Sequence, residues 1–399
     1  MQWASAVSER TSLAVALDEA CSLVGAQLGP GPEPDLVIVF ASPHHDLLST
    51  PLGPQLHRRF PHAAIIGCTG AGVIGGGHEV EGAAGLSLTV ARLPGVSLRT
   101  FHLLADALPS PDAPPDAWAE RTGVPLDAGP HFLLLSDPYS LDPEALVAGL
   151  DYAWPGAAKI GGLASGGRGP RTHALYQDDL LFREGAVGVA LWGDVVVDTV
   201  VAQGCRPLGE PVRVTAAAGP LLLGLDGRSP VETLQELFQQ ASPRDQELIQ
   251  RNLLIGIAAD ALGLEPGPEE YLVRNLTGID PKRGALTVGA HMHEGQVVRF
   301  HVRDADTSTE DLRSALTRYA GAAAGQSPAG ALLFSCTGRG IYLYGERDHD
   351  TGIFRELVPG QGESLPLGGF FCNGEIGPVA GATHLHSYTS SFGIFRPRS

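Results

Sequence analysis

Over residues 1–30 the apolar positions Leu13, Leu17, Cys21, Val24 and Leu28 recur at helical spacing, and Gly29-Pro30 stops the run. The spacing predicts an N-terminal amphipathic helix. Beyond the turn-rich GPGPEP, the pattern changes to short apolar runs punctuated by glycine, as expected of strands. The runs recur three times in one order. A first strand ends in a small or polar residue: LVIVFAS (36–42), FLLLSD (132–137) and ALLFSC (331–336). A second runs into a Gly-rich turn: IIGCTGAG (65–72), KIGGLASGG (159–167) and GGFFCNGEIG (368–377). A third follows: GLSLTVARL, AVGVALW and TSSFGIF. Self-similarity of this kind marks duplicated supersecondary units packed on one another.

Helices fit between these strands. Asp142-Pro143 starts one with Leu146 and Leu150 on its inner face. Thr307 and Glu310 have capping-box spacing ahead of the stripe Leu312, Leu316, Tyr319 and Ala323. Ser229-Pro230-Val231-Glu232 opens a helix through Phe238, and Ser242-Pro243 opens another. These two helices interrupt the strand pattern, which places a domain boundary just before them: 36–228 and 229–396. YLVRNL, GALTVGAHM and QVVRFHVRD follow as strands joined by the turns GIDPKRG and HEG. The expected architecture is α/β to α+β, with two domains, mixed sheets and internally repeated strand-helix-strand-strand units.

Composition narrows the function classes. With 399 residues, 43% hydrophobic and 18% charged, the chain can bury sizeable cores. The 27 basic residues against 44 acidic ones leave a net charge of -17, which repels phosphate backbones and anionic headgroups, so neither nucleic acid nor membrane is an expected partner. Five cysteines without a C-x-x-C pair fit a reduced cytoplasm. The N-terminus lacks a basic leader segment, and no run of about 18 apolar residues occurs.

Two motifs fail on context. GAGVIG (70–75) satisfies G-x-G-x-x-G, but GGGHEVEGAAG then continues as turn and loop where a dinucleotide site needs a helix. Ser165 in GGLASGG lacks the glycine that a nucleophile elbow requires at Leu163. That turn is either a close backbone approach or a loop of amides for a polar ligand, lined by Gly161, Gly162 and Ser165.

The densest chemistry lies in FSCTGRG (334–340), GFFCNGEIGP (369–378) and HLHSYT (384–389). Cys336 and Cys372 each close an apolar strand, where an inert thiol is usual; the alternative is a thiol activated by Arg339 or His386. Arg339, between two glycines, has room to grip a carboxylate in two-pronged fashion. Glu375 occupies a tight turn beside Asn373. His384 and His386 project to one face of an extended segment, but no third metal ligand is fixed by spacing, and no metal is assigned. His44-His45-Asp46 and Asp348-His349-Asp350 are expected to be solvated turns.

The strings LLFSCTGRG, LPLGGFFCNGEIGPVAG, HLHSYTSSFGIF, QGCRPLGEPVRVT and YLVRNLTGID resemble the FIST family over residues 36–396. IIGCTGAG is a looser match to the G-C-S-T-x-G signature of FIST N. The resemblance implies a FIST N and a FIST C domain of the stand-alone bacterial type, and an intracellular sensor of small ligands. Amino acids are proposed as ligands in the family and haem is reported for some members; no cofactor is certain. Output would pass through a separate signalling protein. The ligand-binding set expected on this reading is Gly161, Gly162, Ser165, Cys336, Arg339, Cys372, Asn373, Glu375 and His386, around an amino acid or carboxylate. Two rivals stand beside it. One is acyl transfer or hydrolysis at Cys372, with His386 as base and Glu375 orienting it. The other is a non-catalytic adaptor scaffold.

Overall fold

The computed structural model describes residues 1–47, 52–259, 267, 270–323, 325–358, 360 and 364–398. The chain divides into two compact units. One comprises Met1–Val201, Arg313–Leu385 and Thr389–Ser399; the other comprises Ala202–Leu312 with His386–Tyr388.

The first unit is built from one pattern used three times. The first repeat runs β1 (Gln2–Ser8), α1 (Leu13–Leu28), β2 (Leu36–Ala41), α2 (Gly53–Arg59), β3 (Ala64–Thr69), β4 (Gly72–Gly75), β5 (His78–Glu81) and β6 (Leu86–Arg92). The second runs β7 (Val96–Leu103), α3 (Pro115–Thr122), β8 (His131–Ser136), α4 (Pro143–Ala153), β9 (Lys159–Leu163), β10 (Leu175–Gln177), β11 (Leu180–Phe182) and β12 (Ala186–Gly193). The third begins with β13 (Val196–Ala202). It resumes, after an insertion, with α7 (Ala305–Ala322), β20 (Gly330–Cys336), α8 (Gly340–Tyr344), α9 (His349–Leu357), β21 (Leu367–Cys372), β22 (Glu375–Val379), β23 (Ala382–His386) and β24 (Ser390–Arg396).

Each repeat forms a six-stranded mixed sheet around a parallel pair: β2 with β3, β8 with β9, β20 with β21. The sheet orders are β1-β6-β2-β3-β10-β11, β7-β12-β8-β9-β22-β23 and β13-β24-β20-β21-β4-β5. The last two strands of every sheet are therefore a hairpin donated by another repeat, and the three donations close a cycle. This cycle gives the unit an approximate threefold relation and locks segments some 300 residues apart into one sheet, as where β21 pairs with β4.

Strand periodicity divides the core. Leu36, Ile38 and Phe40 enter a central cluster with Leu133, Leu135, Leu332, Phe334 and Phe370, while Val37, Val39 and Ala41 face α1 in a second cluster. Phe132 and Leu134 pack under α3 and α4. Strands covered on both faces read as continuous apolar runs, which is why these were visible in the sequence. Phe40 stacks on Phe370 at 4.6 Å, and Phe334 meets both edge-on.

The second unit is a closed barrel of β14 (Arg206–Ala218), β15 (Leu221–Leu225), β16 (Leu253–Ala258), β17 (Tyr271–Asp280), β18 (Ala285–Val288) and β19 (Val297–Val302), in the order β14-β15-β18-β17-β16-β19. Between β15 and β16 lie α5 (Pro230–Gln240) and α6 (Pro243–Asn252). Ser229 and Ser242 cap them through the amides of Glu232 and Asp245.

Three local expectations are corrected. GGGHEVEG holds a strand, β5, because its hairpin finds its partner in β21, which local pattern cannot disclose. The apolar pattern likewise does not reveal β1, whose partner is β6. The N-terminus of α7 is held by Asp304, which accepts the Thr307 amide at 2.7 Å, so the cap precedes the predicted Thr307.

Candidate functional site at the converging turns

Each repeat places a glycine at the same register of its second parallel strand: Gly67 opposite Val39, Gly161 opposite Leu134 and Gly369 opposite Leu333. A Cβ at any of the three would collide with the carbonyl oxygen of its partner. At Gly161 and Gly369 the φ values of 146° and 151° are also hostile to other residues. This close approach draws the strand ends together. The Ser165 amide donates to the Thr69 carbonyl and the Asn373 amide to the Leu163 carbonyl, each at 3.1 Å. The third link runs through a side chain: the Ala71 amide donates to Ser165 Oγ at 2.7 Å, and that hydroxyl donates to the Phe371 carbonyl. A ring of turns, one per repeat, is thereby closed.

Of the reactive groups predicted from sequence, Cys372, Asn373 and Glu375 belong to the third turn of this ring. Cys336 and Cys372 are direct neighbours across β20 and β21. Cys372 has no exposed surface; Sγ lies 3.4 Å from the Ser335 carbonyl and 3.5 Å from Glu375 Oε1. A side chain at Gly162 would meet that sulfur at 2.9 Å, so the glycine makes room for it. Burial, then the Glu375 carboxylate and Cys336, push the Cys372 thiol well above its ordinary value. Glu375 is fully buried, with Oε2 accepting the Thr389 amide at 3.1 Å. Asn373 is exposed and Cys336 half-buried. His386 is buried at the end of β23 and groups with the second unit; the other eight predicted residues all belong to the first.

Sequence comparison gives this arrangement its family. The FIST N domain matches residues 35–228 and the FIST C domain residues 230–378. The chain belongs to the FIST family. FIST domains are sensory domains of signal transduction. An uncharacterized protein of Mycobacterium tuberculosis is 38% identical over 391 residues, 98% of each chain. An uncharacterized protein of Mycobacterium bovis is 36% identical over 368 residues, 92% of this chain and 91% of that one. Among solved structures, a cyanuric acid hydrolase from A. caulinodans aligns over the whole of both chains at 10% identity with a TM-score of 0.32, too slight a likeness to carry an argument.

In this FIST protein Arg339 does grip a carboxylate, but an internal one. It is fully buried, with Nε 2.7 Å from Asp350 Oδ2 and Nη2 3.1 Å from Oδ1. Asp350 also accepts the Ser390 hydroxyl at 2.6 Å. Burial alone would raise the Asp350 carboxyl, but the Arg339 guanidinium, with hydrogen bonds from His349, Arg339 and Ser390, holds it far below the usual range. The expectation of a solvated Asp348-His349-Asp350 turn therefore fails at Asp350, because α9 folds that residue back onto Arg339. His45 is likewise buried. No group of three or more His, Cys, Asp or Glu among the described residues is arranged to hold a metal.

Sequence reasoning missed two buried groups. His173 Nδ1 lies 2.9 Å from Asp137 Oδ1, neither residue having exposed surface, while the Gly167 amide donates to His173 Nε2 at 3.2 Å. Asp137 occupies in the second repeat the position of Cys336 in the third: each amide donates to the carbonyl that ends the intervening loop, Gly185 and Thr389 respectively. Glu79 accepts the Thr351 amide at 2.9 Å, and burial followed by Asp350 raises it to about 8. Only the repeat alignment carries a signal for Asp137; nothing local marks Glu79.

Proposed function

We propose that this FIST protein senses a small polar ligand, an amino acid or carboxylate, at the rim of the turn ring, and passes the signal to a separate protein partner. The observation that carries the reading is the convergence of three turns that leaves Asn373 exposed and Cys336 half-exposed beside a buried polar floor of Ser165 and Glu375. Side chains held by strand ends cost little further ordering when a ligand arrives, which favours recognition. The same geometry supports binding over cysteine chemistry, because a nucleophile must be a thiolate and the Cys372 thiol is held protonated against a carboxylate. Toward haem, Cys372, Ser165 and Glu375 have no exposed surface to present to an iron, which leaves half-exposed Cys336 as the thiol of this cluster that could reach one. A cytoplasmic setting accords with five free cysteines and with the lack, among the described residues, of a helix long and apolar enough to cross a membrane. Thermal-shift titration against amino acids, short carboxylates and haem tests the proposal. A ligand at a hundred times its Kd should stabilise the chain by about 2.7 kcal/mol; no shift with any of these classes contradicts the sensor.

A further inference from the structure

The third repeat carries its parallel ladder one pair further than the other two. β2 and β3 stay paired through Ala41 and Thr69, and β8 and β9 through Ser136 and Leu163, but β20 and β21 continue past Ser335 and Phe371 to Cys336 and Cys372. Counted from the register glycines Gly67 and Gly161, the corresponding positions hold Ser42 with Gly70 and Asp137 with Ala164. Of the three repeats, only the third ends in two side chains that can bond covalently to each other.

Strand geometry puts the two thiols side by side. Phe334 and Phe370 are register partners two residues earlier, and their rings meet at 5.9 Å in the central cluster that Cys372 joins. The pleat returns to the same face every second residue, so Cys336 and Cys372 both project there. The Thr337 amide donates to the Cys372 carbonyl at 3.0 Å, and Cys372 Sγ approaches the Ser335 carbonyl at 3.4 Å, which holds the two strand ends together. Adjacent strands lie about 4.8 Å apart, inside the range of roughly 4.4 to 6.8 Å between Cα atoms that a disulfide spans. The cysteines differ in access. Cys336 is half-buried and within reach of a small solute, whereas Cys372 has no exposed surface and directs its thiol at Glu375 Oε1, 3.5 Å away.

We propose that Cys336 and Cys372 form a reversible thiol–disulfide pair oxidised by hydrogen peroxide, with Cys336 as the peroxide-reactive thiol and Cys372 as the resolving one. The Cys336 thiolate attacks the peroxide: an S–O bond forms, the O–O bond breaks, and the hydroxide released takes up the proton that Cys336 gave up on ionising. A sulfenic acid results. The Cys372 sulfur then attacks the Cys336 sulfur, its proton passing to Glu375 Oε1 as the S–S bond forms and the S–O bond breaks. The departing hydroxide takes that proton from Glu375 and leaves as water. Two thiols and one peroxide thus give one disulfide and two waters. A thiol raised by burial is slow toward outside reagents, but a register neighbour presents the sulfenic sulfur at close quarters, so Cys372 reacts with that partner first. The step needs no bound ligand, so it stands or falls apart from the sensor reading given above.

Oxidation of the reduced full chain with hydrogen peroxide, followed by peptide mass mapping without reductant, tests it. The Cys336 and Cys372 peptides should appear joined, lighter by two hydrogens than their sum, and should separate again on treatment with dithiothreitol. Cys372→Ala should instead leave Cys336 as a sulfenic acid that dimedone traps, a label the wild-type chain takes up only in trace. Three results in the wild-type chain overturn the proposal without relying on any variant's folding. They are a dimedone adduct or sulfinic acid at Cys336 without the joined peptide, a link that uses Cys21, Cys68 or Cys205 instead, and no oxidation of either Cys336 or Cys372.

Discussion

At the residue scale, Cys372 and Glu375 are buried side by side, and burial, then the neighbouring Glu375, pushes the thiol well above its ordinary value. Native protein treated with iodoacetamide at neutral pH should therefore modify Cys372 more slowly than free cysteine, with the rate recovering on denaturation; peptide mass mapping reads the result. Faster modification would restore the cysteine-enzyme reading. Arg339 and Asp350 make the opposite case, a charged pair with no exposed surface on the arginine. Removing one partner strands the other, so Arg339→Met should cost about 3 to 5 kcal/mol, while the double replacement Arg339→Met with Asp350→Leu should recover much of it. Denaturant titration of the single and double variants checks this. SCTGRG and GFFCNGEIGP were legible as chemistry because dense polar groups between apolar strands are unusual. The partner of Arg339 was not, because α9 brings Asp350 onto it through a turn that looked merely hydrophilic.

At the element scale, the glycines Gly67, Gly161 and Gly369 let paired strands approach so closely that no side chain fits. Gly161→Ala should lose about 3 kcal/mol, a fall in Tm of roughly 6 to 12 °C, measured by calorimetry. Ser165→Ala removes the hydroxyl that links Ala71 to Phe371 and should cost about 1 to 3 kcal/mol by taking this partner from a half-buried amide and a buried carbonyl. The three parallel strand pairs could be read from the chain because burial on both faces demands unbroken apolar runs. The exchanged hairpins could not. β4 and β5, rich in Gly and Glu, resemble loop until β21 supplies the ladder, and short-range pattern carries no information about a partner that far along the chain.

At the scale of the whole molecule, buried titratable groups set opposite pH limits. Between the ordinary glutamate range and about 8, folded Glu79 keeps a proton that the unfolded chain has released, so stability falls as pH rises through that window. His131 and His301, lowered by burial to about 4, refuse protons that the unfolded chain binds below about 6.5, so stability also falls as pH drops. Tm should peak near pH 6.5, and Glu79→Gln should flatten the decline above the peak and steepen the one below it, because the Glu79 window overlaps and opposes that of the histidines; differential scanning calorimetry across pH 4 to 9 reads both. The threefold exchange of hairpins explains why the repeats form a single compact body, and why their turns meet at the ring proposed as the sensing site.

The most direct measurement is calorimetric titration of wild-type chain and Asn373→Ala with amino acids and short carboxylates. The sensor account predicts saturable binding by at least one of them, weakened roughly tenfold in a variant that melts like wild type, because Asn373 is exposed at the rim and its loss spares the core. Binding of equal strength in both proteins, or none in either, would contradict it.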